Sequence, residues 1–320
     1  MKDHRRNPQG IEPDQEHKTQ KRKLLARVHA AGTFWIAAPG NYLNLTRIPA
    51  TMKLLLIGHG YLGMALARQF REAAWEVIPV SRSGGVGCLA CDVGDPAAVK
   101  TLPAADFIVH CAASGHGGPP VYQHVHVEGC RNLVGRFPGV PLLFTSSTSV
   151  YAQTDGSVVT EESPTLPERE TSRLLLEAER ITLAAGGVVA RLAGIYGPGR
   201  SVILQKFLAG EAVIEDDGRR FLNQIHRDDA ARAIFHLATL PAARGAIFNV
   251  CDSTPLSQLE TYQALSRIFQ RPLPPAGPRD PNRKRGWTHK QVSNNKLRAT
   301  AWQPEFPSFL AAAQAIAETL

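Results

Sequence analysis

The chain is poor in the residues and patterns that identify several large classes of protein. Its 320 residues include only five cysteines, an odd and sparse set that does not suit a disulfide framework. No apolar stretch approaches the roughly 18 residues that a membrane-spanning helix requires. Cys88 and Cys91 form a Cys-x-x-Cys pair, but no second pair or histidine follows at zinc-site spacing, so no metal is predicted. These absences favour a cytoplasmic protein with reduced thiols and no membrane contact.

Basic charge is concentrated at one end of the chain. The net charge is +8, but residues 1–51 hold nine Lys and Arg against four Asp and Glu. The remaining 269 residues therefore carry a net charge of only +3. A nearly balanced folded region does not favour a nucleic-acid-binding surface.

The first 51 residues differ from the rest of the chain. Residues 1–20 are polar and lack hydrophobic periodicity, which predicts disorder, and residues 21–31 are compatible with a short basic helix. Met52 stands directly before the first predicted strand. Three interpretations stay open: a misassigned translation start with Met52 as the true one, a flexible extension, or a targeting segment that lacks a continuous apolar region.

A glycine-rich turn follows the first strongly apolar run after this extension. Residues 53–57 read Lys-Leu-Leu-Leu-Ile, and Gly58-x-Gly60-x-x-Gly63 comes next, followed by an amphipathic helix pattern. In a strand–turn–helix unit the first glycine permits the tight turn and the second lets a pyrophosphate approach the backbone. The third lets helix and strand pack closely. The motif, with its intervening Tyr61 and Leu62, therefore predicts a dinucleotide-binding site.

Strand and helix patterns alternate from Met52 onward. Predicted strands cover residues 54–57, 77–80, 107–111, 142–145, 188–192 and 245–250, and predicted helices cover 61–73, 121–137 and 170–184. This alternation predicts an α/β protein with a doubly wound, parallel Rossmann sheet. We assign residues 52–198 and 224–251 to the nucleotide-binding domain. Residues 199–223 and 252–320 are richer in Pro, Arg and aromatic residues and predict a smaller C-terminal substrate lobe.

Four motifs together resemble the extended short-chain dehydrogenase/reductases, the superfamily of nucleoside-diphosphate-sugar epimerases and dehydratases. They are Gly58-His-Gly-Tyr-Leu-Gly63, Thr145-Ser-Ser-Thr-Ser-Val-Tyr151, Arg191-Leu-Ala-Gly-Ile-Tyr-Gly-Pro-Gly-Arg200 and Ile225-His-Arg-Asp-Asp229. They stand in the family's order and spacing over residues 52–310, and the chain resembles the atypical YeeZ-type branch in particular. The resemblance implies a nicotinamide dinucleotide cofactor and hydride-transfer chemistry.

The end of the second strand indicates which dinucleotide is bound. An acidic residue there would bind the ribose 2′-hydroxyl of NAD, but this chain has Ser81-Arg82-Ser83, and an arginine can pair with a 2′-phosphate. We therefore predict NADP in preference to NAD, the alternative being a solvated loop arginine. By resemblance, Asp92 accepts from the adenine amino group and Val93 packs on the ring, although Asp92 also fits as a helix cap. Ala112, a small residue ending the next strand, leaves room for the cofactor.

The catalytic pattern of the family is incomplete here. The resemblance implies a Ser or Thr that orients the substrate, which Ser147 supplies, and a Tyr-x-x-x-Lys pair on the following helix. Residues 152–195 contain neither tyrosine nor lysine, and Arg169 and Arg173 align with the missing pair. Arg173 can still hold the cofactor ribose, but an arginine does not release a proton near neutral pH.

Two tyrosines outside that helix are the candidate proton donors. Tyr151 and Tyr196 both flank strand ends near the expected nicotinamide position. The alternative for each is a packed side chain whose hydroxyl is satisfied locally.

Three further residues are candidate substrate ligands. By resemblance, His226 lines the substrate cleft, with a structural histidine as the alternative and Asp228 as the expected N-cap of the following helix. Arg283 and Arg285 lie in a basic loop, which either faces solvent or grips an anionic group of the substrate.

Two functions follow from these observations. The first is an NAD(P)-dependent oxidoreductase or epimerase acting on a sugar nucleotide or a similar anionic metabolite. The second is a redox-silent dinucleotide-binding protein with a sensing or interaction role, which the missing Tyr-x-x-x-Lys pair favours. By analogy with relatives that pair two such helices, a homodimer is expected through residues 121–137 and 170–184.

Overall fold

A computed structural model describes residues 34–38, 41–45, 51–115, 117–279 and 287–320 of the chain. Within the predicted extension, Phe34–Ala38 pairs with Asn41–Leu45 as an antiparallel ladder. Disorder was predicted for residues 1–20 and a short basic helix for residues 21–31, and both segments lie outside the described residues. Residues 51–320 form a separate compact unit, which contains the elements described below.

The centre of this unit is a parallel sheet of seven strands. In chain order they are β1 (Lys53–Ile57), β2 (Glu76–Ser81), β3 (Leu89–Ala90), β4 (Phe107–His110), β5 (Leu142–Ser147), β6 (Val188–Leu192) and β7 (Ile247–Val250). Their spatial order is β3-β2-β1-β4-β5-β6-β7, with every neighbouring pair parallel. The prediction of a doubly wound α/β Rossmann sheet is confirmed.

Continuous apolar runs explain why these segments become central strands. All four residues of Leu54–Ile57 are buried, as are all of β4 and all of β6. Strands covered by helices on both faces need apolar side chains in both directions, unlike the alternating strands of a half-exposed sheet. The strand order reverses between β1 and β4, and ligands of such sheets bind at this switch point, beyond the carboxyl ends of the strands.

Helices connect the strands and cover the sheet. They span Tyr61–Glu72, Pro96–Lys100, Pro119–Tyr122, Gly129–Arg136, Glu170–Ala184, Val202–Leu208, Arg227–Thr239, Gln258–Phe269, Asn295–Arg298 and Ala313–Ala317. Three 3₁₀ turns lie at Thr148–Val150, Pro241–Ala243 and Phe309–Ala312. Among the described residues, no helix has both the length and the apolar character needed to cross a membrane.

The predicted helix over residues 121–137 has a different form in the structure. It begins at Pro119, and its middle turn, Gln123–Glu128, is a π-helix. His110, the last residue of β4, donates from Nε2 to the Val125 carbonyl oxygen at 2.9 Å. The histidine thus bonds a carbonyl group within the widened turn, an interaction that the periodicity of one helix does not reveal.

Two apolar clusters fill the interior of residues 51–320. The larger cluster lies about the parallel sheet. The smaller one joins Tyr196 to residues of the C-terminal part of the chain, including Phe207, Tyr262 and Phe309. Trp302, from the segment predicted to belong to the substrate lobe, packs instead with the sheet cluster.

Among the described residues of 51–320, four short strand pairs lie outside the central sheet. They are Val158–Val159 with Gln291–Val292, Gly194–Tyr196 with Gln224–His226, Ile214–Glu215 with Ala276–Gly277, and Phe221–Leu222 with Leu256–Ser257. The last pair is antiparallel and the other three are parallel.

Candidate functional site

The glycine turn lies at the switch point of the sheet. The register pairs Ile57 with His110, so the chain leaves β1 and β4 at adjacent positions. Gly58 has a φ of +105°, and a Cβ there would come within 2.4 Å of the Ala112 backbone nitrogen. A Cβ on Gly63 would lie 1.9 Å from the Gly58 carbonyl oxygen. Both positions therefore require glycine, one for the turn and close approach, the other for helix packing.

Gly60 differs from its two neighbours in the motif because it faces open space. A Cβ on Gly60 would meet no atom within 4 Å among the described residues. Gly60 also caps the helix Tyr61–Glu72, and no side chain caps the free N–H groups of its first turn. Open space in front of a helix N-terminus suits an anion such as a pyrophosphate. The geometry thus fits a dinucleotide at Gly58, Gly60, Gly63 and Ala112.

Tyr61 and Leu62 occupy different surroundings although they are adjacent. Leu62 is buried in the sheet cluster. The Tyr61 hydroxyl donates to the Pro198 carbonyl oxygen at 3.1 Å, and the guanidinium carbons of Arg200 and Arg227 each lie 5.1 Å from its ring centroid. The two arginines place positive charge beside the glycine turn, which favours an anionic ligand there.

Arg82 and Asp92 lie close together at the edge of the site beyond β2. Arg82 is exposed. Partial burial alone raises the pKa of Asp92, but hydrogen bonds from His124 and from the Gly94 backbone N–H, together with the charge of Arg82, hold it below its usual value. The His124 Nε2 to Asp92 Oδ1 distance is 2.8 Å. Asp92 is therefore a carboxylate that already accepts two hydrogen bonds at this edge.

The alternative role of Asp92 as a helix cap is wrong. Asp95 caps the helix Pro96–Lys100 by accepting from the Ala97 N–H at 2.9 Å. The structure also buries the Val93 side chain to 5% exposure in the sheet cluster, near Gly129. Little of the Val93 side chain is exposed, and its contact with an adenine ring stays a prediction.

Ser147 stands at the carboxyl end of β5, as expected. Its side chain is half-buried, and its Oγ accepts from the Ser149 N–H at 3.2 Å. The hydroxyl hydrogen has no acceptor within the described part of the chain, so the group can still donate. Its part in catalysis stays a prediction.

Tyr151 is a core residue, which contradicts its prediction as a proton donor. Its side chain is fully buried, and its hydroxyl donates to Asn249 Oδ1 at 2.9 Å while accepting from Arg191 Nη1 at 2.8 Å. Arg191 in turn pairs with Glu179 at 2.6 Å. Burial raises the pKa of Tyr151 despite the nearby arginine. A hydroxyl enclosed in this network is not available to a substrate.

Tyr196 is also buried, so the second predicted proton donor is wrong. It is 1% exposed in the smaller apolar cluster, and its hydroxyl donates to the Ser308 carbonyl oxygen at 3.3 Å. Its ring packs edge-on against His226 and Phe309. Burial raises the pKa of Tyr196 far above its usual value. The local sequence places Tyr196 near a strand end, but packing with residues about 110 positions away turns it inward.

His226 has the structural role that the sequence left open as the alternative. It is 3% exposed, its ring lies 4.0 Å from that of Phe306, and its Nδ1 accepts from the Asp228 N–H at 3.2 Å. His226, not Asp228, is thus the N-cap of the helix Arg227–Thr239. Asp228 instead pairs with Arg227 and Arg68. Neither Arg283 nor Arg285 lies within the described residues.

A cavity of about 440 Å³ opens between the segment that follows β4 and the helix that follows β5. Its lining includes Tyr122 and Arg169, with Gly117, Gly118, Pro119, Glu170 and Thr171 completing the wall. Arg173 is exposed one turn further along the same helix. Sequence reasoning predicted the helix that begins near Tyr122 but missed this tyrosine as a site residue. The available signal was a tyrosine in the first turn of the helix after β4.

Comparisons with known proteins agree with the Rossmann fold of residues 51–320. The sequence model of the NAD dependent epimerase/dehydratase family matches residues 54–251. Protein YeeZ of Escherichia coli strain K12 is 30% identical over 237 residues, covering 68% of this chain and 84% of that protein. The 2′-dehydrokanamycin reductase of Streptomyces kanamyceticus is 25% identical over 256 residues, which cover 70% of this chain and 69% of that protein. A solved structure from Methylobacillus flagellatus, assigned as an NAD-dependent epimerase/dehydratase, matches with a TM-score of 0.70 at 27% identity, covering 84% of this chain and 98% of that one.

Proposed function

Because the chain belongs to the NAD-dependent epimerase/dehydratase family, we propose that it is an oxidoreductase or epimerase that transfers hydride to or from a sugar nucleotide or a similar anionic metabolite. The observation that carries the proposal is the open space before Gly60 at the switch point of the sheet. Gly58 and Gly63 are packed against backbone, whereas Gly60 leaves room at an uncapped helix N-terminus. This combination is what a bound dinucleotide requires.

The chain's own residues would hold the dinucleotide as follows. The free N–H groups of the first helical turn after Gly60 would bind the pyrophosphate, and Ala112 would leave space beside it. Asp92 would accept from the adenine amino group with the lone pairs that His124 and Gly94 do not use. When bound, the nicotinamide ring supplies or accepts a hydride at the substrate carbon. Ser147 would orient the reacting oxygen by donating a hydrogen bond.

Arg82 supports a preference for NADP over NAD. Its exposed guanidinium at the end of β2 can form a charge-assisted contact with a 2′-phosphate, worth about 1.5–3 kcal/mol. By the usual conversion this amounts to a roughly tenfold to 150-fold preference for NADPH over NADH.

Calorimetric titration with NADPH and NADH tests this preference. We expect Arg82→Ala to weaken NADPH binding and to leave NADH binding nearly unchanged. Arg131→Ala is the control, because that arginine is paired with Glu128 and Glu177 on the helices away from β2. Equal affinities of the wild type for NADPH and NADH, or an unchanged ratio of these affinities in Arg82→Ala, would contradict the role of Arg82 in NADP preference.

One comparison supports a metabolite that carries a carbonyl or alcohol group. The wall of the cavity beside β4 and β5 offers such a group charges of both signs, from Arg169 and Glu170. A relative with 25% identity is named as a reductase of a dehydro-sugar antibiotic, 2′-dehydrokanamycin. A suitable test follows absorbance at 340 nm and the sugar composition after incubation with NADP⁺ and UDP-glucose. The second measurement is needed because an epimerase recycles its hydride without net redox change.

A redox-silent dinucleotide-binding protein is the second candidate function. The burial of Tyr151 and Tyr196 favours it, because it removes the two proton donors expected from the sequence. Tight cofactor binding without turnover of sugar nucleotides or small carbonyl compounds would make it the better description. Failure to bind NADPH and NADH would contradict both candidates.

A further inference from the structure

The cavity between the β4 and β5 connections contains a tyrosine that has no assigned function. Tyr122 is half-buried, and it lines the cavity together with Arg169 from the start of the helix Glu170–Ala184. β4 borders the switch point, and β5 is its neighbour on the side away from β1. The cavity therefore opens at the carboxyl edge of the sheet, beside the place where the glycine turn receives a dinucleotide.

Tyr122 is fixed in position by groups from the sheet and from its own helix. Its ring packs edge-on against His126, with the ring centroids 5.1 Å apart. His110 holds the next turn by donating to the Val125 carbonyl oxygen. The intervening π-helix is a rare form that is often found at functional sites. These contacts hold Tyr122 at the cavity wall.

The histidines behind Tyr122 are buried and not fully bonded. His110 and His126 are 0% and 5% exposed, and within the described part of the chain the Nδ1 atom of neither has a hydrogen-bond partner. Burial lowers the pKa of His110 to about 4 and that of His126 to about 3, so both rings are neutral near pH 7. A neutral, polar pair that is partly unsatisfied is costly in a core and is more easily explained beside a working site.

We propose that Tyr122 is the proton-transfer residue of this enzyme, acting across the cavity from Arg169. The proposal rests on the proposed hydride-transfer function. In the reductive direction, a carbonyl substrate in the cavity receives hydride at its carbon from the reduced dinucleotide, which is oxidised. The electron pair of the C=O π bond moves to oxygen, and that oxygen takes the proton of the Tyr122 hydroxyl. The phenolate then regains a proton from water in the cavity.

Arg169 has a supporting role that its charge allows. A guanidinium remains protonated throughout the reaction, so it cannot be the donor. It can stabilise the negative charge that develops on the substrate oxygen and on the Tyr122 oxygen when the proton moves. The arginine thus complements a proton donor contributed by a different helix.

Tyrosine nitration with tetranitromethane, followed by peptide mass spectrometry, tests the position of Tyr122 without relying on activity. Tyr61 and Tyr122 are half-buried, whereas Tyr151 and Tyr196 are fully enclosed. We expect saturating NADP⁺ to slow nitration of both Tyr61 and Tyr122, and the buried tyrosines to remain unmodified. Protection of Tyr61 without protection of Tyr122 would overturn the assignment and leave cofactor binding intact.

Tyr122→Phe tests the chemical role, because phenylalanine retains the ring contact with His126. We expect NADPH-dependent reduction of 4-nitrobenzaldehyde, followed at 340 nm, to fall by about 10²-fold or more, the usual contribution of a general acid. Calorimetry should give an unchanged affinity for NADPH. Tyr151→Phe is the matched control, since that hydroxyl does not line the cavity, and its turnover should match the wild type.

The remaining outcomes separate this assignment from the proposed function. Turnover by Tyr122→Phe equal to that of the wild type would overturn the assignment alone. A wild-type protein that binds NADPH but neither reduces the aldehyde nor changes the sugar composition of UDP-glucose would overturn the proton-transfer role and favour the redox-silent candidate. A wild-type protein that binds neither NADPH nor NADP⁺, with Tyr61 unprotected, would overturn the proposed function itself.

Discussion

Glu179→Gln should strongly destabilise the protein, because it breaks a buried ion pair next to the candidate site. Glu179 and Arg191 are 3% and 4% exposed at their side chains, with a shortest N–O distance of 2.6 Å. Ser146 donates a further hydrogen bond to Glu179. Glutamine keeps the size of the side chain but leaves the arginine charge buried without a counter-charge. Removing one partner of a buried pair costs about 3–5 kcal/mol of the free energy of unfolding.

Equilibrium unfolding in urea is the appropriate assay, because urea is uncharged and does not screen the ion pair. Glu177→Gln provides a matched control two residues earlier on the same helix. Glu177 pairs with Arg131 at 3.2 Å, but both side chains are well exposed, so this substitution should not shift the unfolding transition measurably. The comparison separates the effect of burial from that of the substitution itself.

A double substitution tests whether the pair provides stability or only avoids an unpaired charge. Replacing Glu179 by Leu and Arg191 by Met removes both charges and retains most of the volume. Apolar replacement of a buried pair is often neutral or stabilising, so the double variant should recover most of the loss. Glu179→Gln should lower the free energy of unfolding by more than about 1.5 kcal/mol, the contribution of an ordinary hydrogen bond. A smaller loss would refute the inference that the buried charge of Arg191 depends on Glu179.

Two further predictions concern buried polar groups near the site. Tyr151→Phe should lower the free energy of unfolding by about 1–3 kcal/mol, because it leaves Asn249 and Arg191 each without one partner, and calorimetry should give an unchanged affinity for NADPH. A tenfold loss of affinity for NADPH would indicate that Tyr151 contributes to the cofactor site. Burial lowers the pKa of Lys290 to about 8 from its ordinary 10.5. Between these two pH values the unfolded chain binds more protons than the folded one, so the free energy of unfolding should rise from pH 8 to pH 10.5. Urea unfolding across this pH range should show a rise in the free energy of unfolding that is smaller in Lys290→Met. An equal rise in both proteins would contradict the lowered pKa of Lys290.

Local patterns predicted six of the seven strands of the parallel sheet and missed the two-residue strand β3, Leu89–Ala90. Strands β1 and β6 and the helix Glu170–Ala184 lie within one residue of the predicted bounds, because their apolar periodicity is uninterrupted. The helix after β4 was harder to predict, because the π-helix at Gln123–Glu128 is stabilised by His110 from another element. A pattern read along one segment does not contain a bond to a residue outside it.

The candidate site separates into a part that is local in sequence and a part that is not. The sequence by itself determined the glycine turn, since Gly58, Gly60 and Gly63 act through backbone conformation and the lack of a Cβ within six residues. The sequence also established that the helix after β5 contains no tyrosine or lysine.

Only the tertiary structure decided which tyrosine faces a cavity. Tyr196 ends a short strand and Tyr151 follows the 3₁₀ turn after β5, yet one hydroxyl is enclosed by Ser308 and the other by Asn249, partners 112 and 98 positions away. Tyr122 shares a cavity with Arg169, which lies on a different helix. Side-chain burial depends on what packs against a residue from elsewhere in the chain, and long-range packing has no signature in the neighbouring sequence.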